Sequence, residues 1–189
     1  MQNILLAVVG LCGTGKSETT DFIAKNYPFH PIYFGGYVIN EVKRRNLEVN
    51  SQNEKIVREG LRKEFGMDVI ARLSFDDIRN LLDTGKNVVI DGLYSFSEYK
   101  YLKNNIPHPF FLLAVHSSKK IRYERLWNRK TRPLSPNEVD DRDFLEVNNL
   151  EKSQPIALAD FHIVNDGLKA NLHRKIRSVL QSILEMIDE

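Results

Sequence analysis

Near the start of the chain, Gly10-Leu11-Cys12-Gly13-Thr14-Gly15-Lys16-Ser17 follows an apolar run, Ile4 to Val9, and precedes a stretch with helical patterning. The spacing is that of a Walker A loop, G-x-x-x-x-G-K-[ST], in the strand-then-helix setting that such a loop requires. Its glycines let the backbone curl until successive N–H groups point inward. Lys16 then reaches the β and γ phosphates of a nucleotide, and the Ser17 hydroxyl can ligate Mg²⁺. The helix that follows adds the positive end of its dipole. The residues expected at the phosphates are Gly10, Gly13, Thr14, Gly15, Lys16 and Ser17, with Thr19 behind them. No other stretch constrains the fold as tightly, because a strand must carry this loop to the edge of a sheet.

A chain of 189 residues can bury one sizeable core, so one domain is expected. With 42% hydrophobic and 28% charged residues, neither disorder nor a fibrous repeat is indicated. The net charge is only +2, which argues against a dedicated nucleic-acid binder unless the positive charge is concentrated locally. The single cysteine, Cys12, excludes an intramolecular disulfide and a cysteine-cluster zinc site; it reads as a small tolerated side chain and not a redox switch. The N-terminal apolar run lacks a basic flank and flows straight into the loop, so it is a strand and not a signal peptide. No apolar stretch approaches the roughly 20 residues of a membrane span. A cytoplasmic protein with no membrane association is expected.

Along the chain, a helix over Thr19 to Tyr27 is stopped by Pro28, and Pro31 to Phe34 reads as a short strand ended by Gly35-Gly36. A helix follows over Tyr37 to Arg45. Ser51, with Glu54 three residues on, supplies a capping box for a helix running to Phe65. Met67 to Asp83 is another helix, ending at Gly85. Lys86 to Asp91 and Pro109 to His116 are buried strands, Ser118 caps a basic helix to about Arg129, and Phe161 to Val164 is a last strand before a helix over Leu168 to Ile187. Alternation of this kind predicts an α/β protein: a parallel five-stranded sheet with helices on both faces. The helical segment at about 36–84 is larger than a crossover needs and is expected to hold an acceptor. A short basic lid is expected at about 129–142, both over the C-terminal sheet edge where such folds place ligands.

Asp91 closes an Ile-Asp-Gly strand end, where its carboxylate can orient Mg²⁺ or engage an acceptor. Arg122, Arg125 and Arg129 fall at i, i+3 and i+7 on one helical stripe, with Arg132 and Arg142 beyond. Phosphoryl transfer is catalysed largely by positioning and by cations, and guanidinium forks suit phosphate oxygens. Lys16, Asp91, Arg129 and Arg142 are therefore the expected catalytic set, and Arg125 is expected at the nucleotide. In the acceptor segment the candidates are Gly36, Tyr37, Arg44, Arg58 and Arg62, with Tyr94 after the strand. Arg44 lies one helical turn beyond Asn40, and Arg58 and Arg62 are one turn apart. His116, His162 and His173 lack the spacing of a metal site or a triad.

Together these residues resemble the nucleoside monophosphate kinase family in its broad sense, across almost the whole chain. Arg142-Asp143, Pro155 to Asp160 and Ile163-Val164-Asn165 are similar to the RD…PL..A.DA..ID segment of cytidylate kinases. The chain also resembles a mostly archaeal family described as dephospho-coenzyme A kinase-like, through Ile90-Asp91-Gly92, Val115-His116-Ser117, Arg122 to Leu126, Asp141-Arg142-Asp143 and Ile156 to Asp160. The resemblance implies ATP and Mg²⁺ as cofactors and a small phosphorylated acceptor as partner. The chain departs from that pattern on the acceptor side: Asn40 and Tyr94 stand where arginines are common, and Asn149 replaces a lid arginine.

The reading that follows is an ATP-dependent kinase moving the γ-phosphoryl group to a nucleotide-like acceptor, first of all a (deoxy)nucleoside monophosphate. Dephospho-coenzyme A kinase-like or polynucleotide 5′-hydroxyl kinase activity is an alternative, nucleic acid being the less favoured partner. A non-catalytic ATP-binding switch is the rival from another class. A GTPase lacks its N-K-x-D element here, and an AAA+ motor lacks room for its lid subdomain.

Overall fold

The structure, a computed structural model, describes residues 3–130 and 133–188. Five strands, β1 (Leu5–Val9), β2 (Phe29–Tyr33), β3 (Asn87–Asp91), β4 (Phe110–His116) and β5 (Phe161–Val164), form one sheet in the order β2-β3-β1-β4-β5. Every neighbouring pair is parallel. Successive side chains of a strand point to opposite faces, so a sheet covered on both sides needs strands that are apolar throughout. All five residues of β1 are buried. Leu5, Ala7 and Val9 face a core built with helices α2 (Phe34–Arg44), α3 (Ser51–Phe65), α4 (Val69–Asp83) and α5 (Phe96–Asn105). Leu6 and Val8 face the other core, with α1 (Lys16–Asn26) and α9 (Lys169–Asp188). Helices α6 (Lys119–Trp127), α7 (Pro136–Asn148) and α8 (Ser153–Ala157) complete the chain, and Leu126 and Val139 close over Cys12 in a small third cluster.

Several boundaries differ from the sequence reading. Strand β2 starts at Phe29 and α2 begins at once at Phe34, so Gly35 and Gly36 lie inside the first helical turn and do not end the strand. A Cβ at Gly35 would lie 2.3 Å from the tip of the exposed Tyr33 ring, which would have to swing aside. Asn50, not Ser51, caps α3: its extended backbone lets the side chain accept from the Asn53 N–H at 2.9 Å, and Ser51 is already helical. Ser118 precedes α6 without a side-chain cap, its own N–H donated to Asp166.

Three helices, α5, α7 and the five-residue α8, have no counterpart in the sequence reading, and the two longer ones share a cause. Helix α5 buries only Glu98 and Leu102, too few positions to make an apolar stripe, and is held instead by a capping box between Ser95 and Glu98. Helix α7, capped by Ser135 and Glu138, runs six residues past the expected end of the lid at 142. In both, capping rather than periodicity carries the signal.

The chain leaves every strand at the same edge of the sheet. There the phosphate loop follows β1, Tyr33 ends β2, Asp91 ends β3, His116 ends β4 and Asn165 follows β5. Asp91 is brought beside the loop because β3 pairs directly with β1, Val8 opposite Asp91. Among the described residues no helix is long and apolar enough to cross a membrane.

Candidate active site

The loop after β1 is shaped by what its carbonyls do. Leu11 O accepts from the Thr14 hydroxyl (3.0 Å) and the Lys16 ammonium (2.9 Å), Cys12 O from Arg122 (3.1 Å), Gly13 O from Arg125 (3.4 Å), Thr14 O from the Asn165 amide (2.8 Å) and Gly15 O from the Thr19 hydroxyl (3.0 Å). With the carbonyls engaged by the protein, the N–H groups of the loop are left as the donors for an anion. Gly15 has a φ of +103°, and a Cβ there would lie 2.5 Å from the Asn165 amide nitrogen. That position therefore admits only glycine.

These bonds redistribute the expected roles. Thr19 is fully buried with its hydroxyl committed to the helix backbone, so it supports the loop and does not reach a nucleotide. Arg122 is buried and forks onto Asp143 at 3.0 and 2.6 Å. Arg125 reaches the Ser117 hydroxyl and Asn165 O, both at 2.9 Å. The first two arginines of the stripe thus brace the loop from behind, because an outward-turned carbonyl is the nearest acceptor for a cation on α6. Arg129 is exposed just beyond α6. Arg132 lies outside the described residues.

Burial and, next, the charge of Lys152 pull the Lys16 ammonium down to about 7, with Glu146 and Asp91 pulling the other way. Burial lifts the Asp91 carboxyl above its usual range against a hydrogen bond from Ser17 and the charge of Lys16. Ser17 and Asp91 are thus within reach of one another, a pair of hard oxygen donors beside the loop. Among the described residues no group of three or more His, Cys, Asp or Glu side chains gathers to cage a metal. That donor set fits Mg²⁺, which keeps several waters and relies on phosphate oxygens and one or two protein ligands. His116 Nε2 lies 3.0 Å from His162 Nδ1 and His173 pairs with Glu18 at 2.8 Å, with no third ligand at either.

Beyond Asp91 a pocket opens between the end of β2, α2, α3 and Tyr94. Its walls include Tyr33, Phe34, Glu54, Arg58, Arg62 and Tyr94. Arg62 is buried and gives one nitrogen to Glu98 at 3.2 Å, while its Nε, also buried, has no hydrogen-bond partner. Glu98 in turn accepts from the N–H groups of Tyr94 (2.7 Å) and Ser95 (3.0 Å), tying α3 to the turn after Asp91. Burial, then the neighbouring charge of Arg62, lowers the Arg58 guanidinium from its ordinary value. Arg58 and the unpartnered Nε of Arg62 are the donors this wall offers to an anion, with Glu54 as its acid.

Other acceptor candidates fall elsewhere. Arg44 is exposed on the outer face of α2 and forks onto Glu41 at 2.6 and 2.8 Å; Asn40, one turn back, is exposed beside it. Val38 and Val42 take the inward face, which turns Arg44 away from the pocket. Tyr37 donates its hydroxyl to Asp77 at 2.5 Å and packs against the core, and Gly36 is half-buried in the first turn of α2. Neither Tyr37, Gly36 nor Arg44 lines the pocket.

A buried network was missed altogether. Lys152, at the start of α8, is fully buried and donates to Glu146 at 2.6 Å, and its ammonium lies 4.5 Å from the centre of the Tyr94 ring. Arg142 donates to the other oxygen of Glu146 at 3.0 Å. Glu146 is held down at about 2: burial opposes this, and the charges of Lys152, Arg142 and Lys16 overcome it. The Arg142–Glu146 spacing of four residues on a helix was a readable signal; nothing local marks Lys152.

Comparison with known proteins agrees with this geometry at the level of fold. A family model described as an AAA domain, a P-loop NTPase core, matches residues 6–146. A UPF0200 protein of Thermococcus onnurineus is 32% identical over 185 residues, covering 96% of this chain and 98% of its own. A gluconokinase from Sinorhizobium meliloti superposes with a TM-score of 0.61 at 15% identity, covering 98% of this chain and 96% of its own. A shikimate kinase from Bacteroides thetaiotaomicron gives 0.59 at 15% identity, with 98% and 99% covered. Those two likenesses concern the fold alone, a P-loop kinase-type α/β sheet. With its relative matched nearly end to end, the chain belongs to the family of UPF0200 proteins.

Proposed function

We propose that this protein is an ATP-dependent phosphotransferase that moves the γ-phosphoryl group onto a small phosphorylated acceptor, first of all a (deoxy)nucleoside monophosphate. One observation carries the reading: the phosphate loop with Lys16, Ser17 and Asp91 shares a sheet edge with a pocket walled by Arg58, Arg62 and the aromatic rings of Tyr33 and Tyr94. A loop alone would fit any nucleotide binder. A second, cationic and aromatic pocket beside it is what an acceptor carrying a phosphate and a base requires. We read the chain as one domain acting in the cytoplasm, with the acceptor held by the segment at about 36–84. The lid at about 129–142, carrying Arg129 and Arg142, continues through α7.

In this mechanism the loop amides and Lys16 hold the β and γ phosphates, and Ser17 and Asp91 would hold Mg²⁺, which neutralises charge on the phosphates when bound. Arg58 and Arg62 hold the acceptor phosphate in line. An acceptor phosphate oxygen gives an electron pair to Pγ; the bond from Pγ to the β–γ bridging oxygen breaks, and its electron pair leaves on ADP. The acceptor leaves as a diphosphate and no proton is required. Arg142, released from Glu146, and Arg129 would spread over the charge that develops on the equatorial oxygens. The test is acceptor-stimulated ADP release across nucleoside monophosphates, dephospho-coenzyme A and oligonucleotides.

A further inference from the structure

Lys152 is an expensive residue for a fold to keep. A fully buried ammonium forfeits its hydration, and an apolar side chain of similar volume would often serve stability as well. Here the cost is compounded by like charge, because Arg142 shares the same carboxylate of Glu146, and the charge of Lys152 helps, after burial, to lower Lys16 against Glu146 and Asp91. Two cations sharing one buried carboxylate have charge to spare for an anion. The backbone is also bent to the purpose: Glu151, a non-glycine, sits at a φ of +51° in the tight turn between α7 and α8, immediately before Lys152. Such a conformation is retained where surrounding structure enforces it, and it clusters at functional sites.

The position is specific as well. At 4.5 Å from the Lys152 ammonium is the ring of Tyr94, which walls the pocket together with Arg58 and Arg62. Asp91, at the end of β3, and Tyr94, in the pocket wall, are three residues apart in the chain, so the loop side and the pocket side of the sheet edge meet here.

We infer that Lys152 is a catalytic residue: its ammonium, held by Glu146 before nucleotide arrives, is handed to the γ-phosphoryl group and stays with it during transfer. The inference rests on the phosphotransferase reading. Glu146 is then the internal counter-ion that keeps Lys152 and Arg142 together until phosphate oxygens take its place. Lys152 also supplies a cation on the Tyr94 side of the site.

The test uses the full chain, Mg²⁺, and two probes that differ in the γ-phosphoryl group, ADP and the β,γ-imido analogue of ATP, titrated by calorimetry. Wild type should prefer the triphosphate by about tenfold or more, the size expected of charged hydrogen bonds made to one added group. Lys152→Met should bring the two affinities within about twofold while leaving ADP affinity unchanged, and Lys152→Arg should restore part of the preference. If Lys152→Met does not fold, the double variant Lys152→Met/Glu146→Gln removes both buried charges and carries the same comparison. An undiminished preference for the triphosphate in either folded variant overturns the inference, as does an equal weakening of both probes, which would mark Lys152 as structural. A wild type that binds both probes equally overturns it too. A wild type that binds neither brings down the phosphotransferase reading beneath it.

Discussion

The ammonium of Lys152 stands 2.6 Å from Oε2 of Glu146, with the lysine fully buried and the glutamate nearly so. An ion pair removed from water in this way is costly to break from one side, since the survivor stays buried without its partner. Lys152→Met should therefore destabilise the chain by about 3–5 kcal/mol, and Lys152→Met/Glu146→Gln by clearly less than the sum of its two single changes. Urea unfolding of the four proteins in a double-mutant cycle measures the coupling. Additive losses would mean that the two side chains do not interact as placed.

Lys16 gives a pH signature. Burial and the charge of Lys152 depress its folded value to about 7 from an ordinary 10.5. Between these values the unfolded chain binds more protons than the folded one, so the penalty is fully present below about 7 and stability rises as pH climbs towards 10.5. A triphosphate favours the charged ammonium and reverses the shift. Nucleotide binding at pH 8 should therefore take up protons, detected by calorimetry in buffers of different ionisation enthalpy. Lys16→Ala should abolish that uptake and most of the affinity while melting like wild type or slightly higher. Unchanged ATP affinity in the folded variant would remove the phosphate-loop assignment.

The two arginine sites should separate cleanly. Arg58 walls the pocket, whereas Arg44 lies outside it, paired with Glu41. Arg58→Ala should raise the acceptor KM by about tenfold or more, the loss expected for a charged hydrogen bond, with ATP affinity within about twofold of wild type. Arg44→Ala should behave as wild type. Steady-state kinetics decides it, and equal effects from both would move the acceptor off this pocket.

Helix α7 carries Arg142 on a surface that makes few contacts with the sheet, and a cation that closes on phosphate needs an element able to move. Hydrogen exchange over residues 133–148 should slow when the β,γ-imido analogue of ATP is added with Mg²⁺. Exchange that does not change would leave α7 as a fixed brace.

What was legible in the sequence was local. The phosphate loop is written in consecutive residues, and the three central strands β3, β1 and β4 are apolar runs because both faces of the sheet are covered there. The direction of a single arginine was not legible. Arg44, Arg58 and Arg62 look alike as helical cations, and only the packing of Val38 and Val42 turns Arg44 out while the Glu98 carboxylate draws Arg62 in. Arg125 reads as a phosphate ligand for the same reason, since the loop carbonyl that it holds does not show in the sequence. Lys152 meets Tyr94 across fifty-eight positions of sequence, a juxtaposition made by the topology of α7 and α8 and by no spacing.

The central claim is that the chain transfers phosphate to an acceptor and does not merely sense ATP. The most direct measurement is ADP release by the wild-type chain with ATP and Mg²⁺, alone and with each of a panel of nucleoside and deoxynucleoside monophosphates, dephospho-coenzyme A and 5′-hydroxyl oligonucleotides. The account predicts turnover stimulated at least tenfold by a phosphorylated small molecule, as in-line capture of the acceptor demands, and abolished in Lys16→Ala. Tight ATP binding with no stimulation by any of them would contradict it and make the protein a nucleotide-responsive switch; stimulation by oligonucleotides alone would make it a hydroxyl kinase.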